Sequence, residues 1–134
     1  MTPLFLQAGE DSPKVILDPQ KGIFEISGES RPENASHFYS HVLKWLDQFK
    51  TFLYWEKKEL NKTREVVFTF KLAYFNSTSA KYLLDILLLL DGLKGEKYPV
   101  EVNWHYHQPD EDMKYAGEEF ARSLSHLKME MIEL

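Results

Sequence analysis

The chain has 134 residues, of which 43% are hydrophobic and 28% charged, and its formal net charge is −5. This composition describes one soluble domain with a real core, and its acidic balance makes neither nucleic acid nor an anionic membrane a default partner. There is no cysteine, which excludes disulfides, thiolate metal sites and cysteine nucleophiles.

Residues 1–12 read as a flexible arm, and 13–134 as a single domain. The first ten residues lack the basic start and apolar run of a signal peptide. The longest unbroken apolar run, Ile86 to Leu90, is five residues, where a membrane span needs roughly 20. A cytoplasmic protein is expected. Val15-Ile16-Leu17 and Ile23 to Ser27 read as two strands of a hairpin, because Asp18-Pro19-Gln20-Lys21-Gly22 has the chemistry of a turn. Gly28 to Asn34 is a connection, and Asn34 or Ser36 can cap the helix that follows. In that helix Phe38, Val42, Trp45, Leu46 and Phe49 recur at helical spacing and define one buried face. The pattern fades after Trp55, and Glu56 to Arg64 reads as a polar joint.

Glu65 to Leu72 is β-branched and aromatic, as a central strand should be. A helix from about Thr78 to Lys94 buries Leu83, Ile86, Leu87 and Leu90. Leu84, Leu88 and Leu89 spread its apolar surface further, so the helix is sandwiched or shows a greasy side to a partner. Val100 to Trp104 is another strand. Asp110-Glu111-Asp112 opens another helix, with acids at its positive end, and Leu127 to Ile132 alternates as a final strand. The order is β-β-α-β-α-β-α-β: an α/β sandwich whose mixed sheet combines an antiparallel hairpin with parallel crossovers.

The junction between the central strand and the leucine-rich helix carries the most chemistry. Phe75 and Asn76 lead into three hydroxyl residues, Ser77, Thr78 and Ser79. A helix start has unpaired N–H groups and the positive end of the dipole, so a phosphate ester is stabilised there. Lys81, one turn along, can hold such a phosphate. Simple N-capping by Asn76 or Ser77 is the commoner use of these residues on physical grounds alone.

Other clusters invite chemistry less. His105 and His107 share a strand face, and Asp110 or Asp112 adds an oxygen, which suggests a metal; exposed strand-end histidines are the plainer reading. His37 and His41 stand one helical turn apart without the Glu of an H-E-x-x-H motif. The acids at Asp110 to Asp112 and at Glu118-Glu119 suit a helix start and a solvated face better than paired-carboxylate catalysis. There is no glycine-rich phosphate loop and no nucleophile elbow. Tyr54 and Trp55 are core edge or interface anchors. The chain reads as a substrate of enzymes, not an enzyme, and no cofactor is expected.

Phe75-Asn76-Ser77-Thr78-Ser79-Ala80-Lys81 followed by Leu84-Asp85-Ile86-Leu87 resembles the SiaC family of bacterial regulatory phosphoproteins. So do Gly28-x-Ser30-x-Pro32-Glu33-Asn34 and Asp110 to Met113 leading to Ala116-Gly117-Glu118-Glu119-Phe120. The resemblance covers roughly residues 13 to 134. It implies a STAS-like fold, that of anti-sigma factor antagonists, and a partner-switching role. A Ser/Thr kinase would phosphorylate one junction hydroxyl and a metal-dependent phosphatase would remove the phosphate. The unphosphorylated form would bind and regulate an enzyme such as a diguanylate cyclase. The family's acceptor is a threonine directly after the asparagine; here that position is Ser77, with Thr78 next. Asn76, Ser79, Lys81 and Leu84 are then expected around the phosphosite and at the partner interface. Three rivals stand beside this reading: a STAS-like domain holding a small anion or nucleotide without covalent chemistry, a metal enzyme using His105, His107 and Asp110, and a structural oligomer using the leucine-rich face.

Overall fold

In the computed structural model, which describes residues 1–134, the elements run β1 (Leu4–Leu6), β2 (Lys14–Asp18), β3 (Ile23–Ser30), α1 (Ala35–Leu60), β4 (Val66–Phe75), α2 (Ser77–Gly95), β5 (Val100–Tyr106), α3 (Glu111–Ala121) and β6 (Met129–Glu133). The hairpin forms as its turn residues dictate. Asp18 Oδ1 accepts the N–H groups of Gln20 and Lys21 at 3.0 and 3.2 Å, and Gly22 takes φ +69°, where a Cβ is disfavoured.

Six strands lie side by side in sequence order. β1 to β3 pair antiparallel, and β3 to β6 pair parallel. Each parallel step advances one place in the same direction. Right-handed crossovers then put all three helices on one face. Burial agrees: Val15, Leu17, Phe24, Ile26, Phe68, Phe70, Val102, Trp104 and Met129 are buried, while the residues alternating with them are half-buried or exposed. The core between sheet and helices is ring-rich. Phe24 meets Phe49 of α1 at 5.3 Å, Phe68 meets Phe70 at 4.9 Å, and Phe70 meets Trp104 at 5.5 Å. Each such buried ring contributes about 1.5–3 kcal/mol over an exposed one.

Four features differ from the sequence expectation. Residues 1–12 contribute a strand: Leu4 to Leu6 pair with Val15 to Leu17, and the Thr2 carbonyl accepts Trp45 Nε1–H at 2.8 Å. Second, β3 does not stop at Ser27. Gly28 adopts φ +101°, the register shifts between Gly28 and Glu29, and the strand continues through this bulge to Ser30. Third, α1 continues through the supposed polar joint to Leu60. Glu56 is only 7% exposed; both its oxygens take the Arg64 guanidinium, at 2.9 and 2.6 Å, so a buried charge is matched in place. Hydrogen bonding from Arg64 holds the Glu56 carboxyl below the usual carboxylate range. Fourth, Met129–Glu133 forms the last strand while Leu127 stays outside it, because its N–H goes to Asp91 instead of the ladder.

Candidate functional site

The parallel topology places the carboxyl ends of β3, β4 and β5 and the amino ends of α1, α2 and α3 along one rim of the sheet. The junction lies there. Asn76 has extended backbone, φ −89° and ψ 172°. Its side-chain oxygen accepts the Ser79 N–H at 2.9 Å, its own N–H donates to the Ser30 carbonyl at 3.0 Å, and its carbonyl accepts the Ala80 N–H at 3.0 Å. Asn76 is thus the N-cap. Ser77 and Thr78 form the first turn, and their N–H groups have no partner within the helix. Helix α2 has no acidic residue in that turn.

The three hydroxyls divide. Ser77 and Thr78 are exposed. Ser79 is 0% exposed, which corrects its expected place at a partner interface: as the third helical residue it turns toward the sheet, with Leu83 and Ile86 on the same face. Its O–H donates to the Ser30 carbonyl at 3.0 Å, and its oxygen accepts from the Ser30 O–H at 2.9 Å. The Ser30 oxygen lies 2.5 Å from the Tyr39 hydroxyl. Ser30 has spent its single proton on Ser79, so Tyr39 is the donor. The chain of donation is Tyr39 to Ser30 to Ser79 to the Ser30 carbonyl. Burial pushes the Tyr39 hydroxyl up to about 12. Three elements, α1, β3 and α2, are locked together by one fully satisfied buried network. The sequence reading missed Ser30 and Tyr39 because it placed Ser30 in a loop. The signal was Gly28, whose bulge lets the strand run on to Ser30.

On the outside of α2, Lys81 reaches Asp85 at 3.2 Å and lies 4.5 Å from the Tyr82 ring centroid. Leu84 is half-buried, and Leu88 is 42% exposed. Residues 77, 81, 84 and 88 fall on one helical stripe. Ser77 therefore stands at the head of a partly apolar face. A shallow cleft beside the junction is lined by Ala73, Tyr74, Phe75, Asp110, Met113 and Ala116, among others.

The metal candidates are not assembled. No group of three or more His, Asp or Glu side chains is placed to hold an ion. Asp110 Oδ1 is committed to the Met113 N–H at 3.0 Å, capping α3. His105 faces the open side of the sheet, where its buried Nδ1 has no partner; burial and Lys71 hold its pKa down. His37 and His41 meet edge to face at 5.1 Å. No helix is long and apolar enough to cross a membrane.

Comparison with known proteins agrees with this geometry. A family model described as "SiaC family regulatory phosphoprotein" matches residues 6–134. An uncharacterised protein of Pseudomonas aeruginosa (strain UCBPP-PA14) is 28% identical over 93% of the chain and 92% of its own length. Apo-SiaC from Pseudomonas aeruginosa has the same fold, with a TM-score of 0.82, 26% identity, and coverage of 98% of this chain and 99% of that one. A crystal structure of the diguanylate cyclase SiaD in complex with its activator SiaC, from the same organism, also matches, with a TM-score of 0.84, 26% identity and the same coverage.

Proposed function

The chain belongs to the SiaC family of regulatory phosphoproteins, and from that premise we propose that it is a partner-switching module controlled by phosphorylation at Ser77, with Thr78 as the second candidate. It acts in the cytoplasm as a regulator, with a Ser/Thr kinase and a metal-dependent phosphatase setting its state. Its bare form binds an enzyme partner, a diguanylate cyclase by analogy with the complex formed by the similar SiaC.

The observation that carries this reading is the division of the hydroxyls. Two are exposed at a helix start free of acids, while the third is sealed and fixes the helix in place. A phosphate on Ser77 gains the helix dipole and the first-turn N–H groups, and Lys81 can swing to it from Asp85. With a partner packed over Ser77, Leu84 and Leu88, that dianion loses its water, and the partner takes the space through which Lys81 reaches it in the free state. Burying it there costs several kcal/mol, enough to abolish a micromolar complex. Modification thus favours the free state and disfavours the docked one.

Incubation with the cognate kinase and ATP, followed by mass spectrometry, tests the assignment. Phosphate is expected on Ser77 or Thr78. Modification confined to residues outside 77 and 78 overturns the reading. Ser77→Ala/Thr78→Ala is expected to take up no phosphate and to remain in its partner-binding form.

A further inference from the structure

The rim opposite the hydroxyls carries a second exposed surface. At the end of α1, Tyr54 and Trp55 are 52% and 48% exposed. Their rings meet edge to face at 5.3 Å. Lys58 Nζ lies 5.0 Å from the Trp55 ring centroid and 5.9 Å from that of Tyr54. Across from them, beyond the end of α2, Lys57 Nζ lies 5.2 Å from the Tyr98 ring centroid. Two shallow clefts share Tyr54 and Glu96 and so form one groove. A third cleft, lined by Lys94 and Lys97, joins it at Tyr98.

The charge of this groove runs against that of the chain. Lys50, Lys57, Lys58, Lys94 and Lys97 line it, against Asp47 and Glu96. None of these five lysines belongs to any ion pair of the structure. The chain as a whole is −5, so unpaired positive charge is concentrated beside two exposed aromatic rings.

We propose that this groove docks a short acidic segment of a partner protein, carrying one aromatic or aliphatic anchor. The carboxylates pair with the free ammonium groups, which steers the encounter. The anchor packs on Tyr54, which lines the groove, and on Trp55 at its edge, whose ring meets that of Tyr54; these residue types dominate interface energetics. A flat anionic membrane suits the site less well. The groove is concave and contains Asp47 and Glu96, which a bilayer would have to approach. The groove lies at the other end of α2 from Ser77, so its occupancy does not depend on the phosphorylation state.

The test uses the full chain and a fluorescein-labelled twelve-residue peptide of alternating Asp and Glu around a single central Phe. Fluorescence anisotropy is expected to show saturable binding. The same peptide with Gln for every acid is expected to fail. Lys57→Gln/Lys58→Gln and, separately, Trp55→Ala are each expected to weaken binding about ten-fold, while Lys128→Gln leaves it unchanged. All these positions are exposed, and thermal unfolding checks that the variants fold. Equal binding of the Gln peptide, indifference to both groove variants, or capture by phosphatidylglycerol vesicles in place of the peptide would each overturn the proposal.

Discussion

Helices α2 and α3 begin in the same way and differ in charge. In each, an Asx side chain accepts the third N–H of the helix: Asn76 from Ser79 at 2.9 Å, and Asp110 from Met113 at 3.0 Å. α3 then places Glu111 and Asp112 in its first turn, whereas α2 places no acid there, only Ser77 and Thr78. The start of α3 carries its negative charge permanently. The start of α2 keeps its positive dipole uncompensated and offers hydroxyls that can acquire charge. The lesson is that one capping geometry supports two charge patterns, a first turn filled with acids and a first turn of exposed hydroxyls.

The contrast can be broken most sharply by charging α2. Phosphorylated protein is expected to bind its enzyme partner at least about 100-fold more weakly than the bare form, measured by calorimetry, because the proposed docking over Ser77 would bury the dianion. Undiminished affinity would erase the functional difference between the two helix starts.

Next in size is Asp91, which ties α2 to the segment after α3. It is 7% exposed and accepts the N–H groups of Ser125, His126 and Leu127 at 3.1, 2.8 and 2.7 Å. Burial works to raise its pKa, but the three donors and nearby His126 together outweigh burial and hold the carboxyl below its ordinary range. Asp91→Ala is expected to cost about 2–4 kcal/mol in chemical denaturation, since three donors lose a charged acceptor. The folded pKa is depressed, so the stabilisation is complete above the unfolded value of about 3.9 and is lost as pH falls through the folded one. Asp91→Asn should flatten the acid limb of the stability curve.

A smaller effect separates the third residues of the two helices. Ser79→Ala removes the end of the buried hydroxyl chain and leaves the Ser30 O–H without its acceptor, so it should cost about 1–3 kcal/mol in urea unfolding. Asn76→Ala and Asp110→Ala each remove a cap and should cost about 1 kcal/mol. The smallest effect has opposite signs at the two ends. Ser77→Asp should gain, and Asp112→Asn should lose, about 0.3–1 kcal/mol by thermal unfolding at low salt. Equal signs would show that the two starts respond oppositely to negative charge, which a shared helix dipole forbids.

Much of this was readable from residues. The 3.6 and 2 periodicities located α1, α2 and β4, and Asp110 to Asp112 announced α3. The asparagine followed by hydroxyls marked the start of α2. What the sequence hid was long-range pairing. Glu56 looked like surface until Arg64, eight residues on, was brought back against it. Leu4 to Leu6 gave too short an apolar pattern to declare a strand without β2 beside it. Ser79 could not be told from its two neighbours, because which hydroxyl turns inward depends on Ser30 and Tyr39, 49 and 40 positions away. Gly117 shows the same limit. It reads as a weak helix residue, yet a Cβ there would lie 2.6 Å from the Trp104 indole, so the close approach of α3 to β5 depends on its lacking a side chain.

The one-way winding of the sheet has an electrical consequence. It gathers Asp110, Glu111 and Asp112 near one rim and Lys57, Lys58, Lys94 and Lys97 near the other. These side chains oppose the peptide dipoles of the helices they stand on, acids at the amino ends and ammonium groups at the carboxyl ends. The phosphoryl group proposed for Ser77 would add its charge at the rim that already holds these acids.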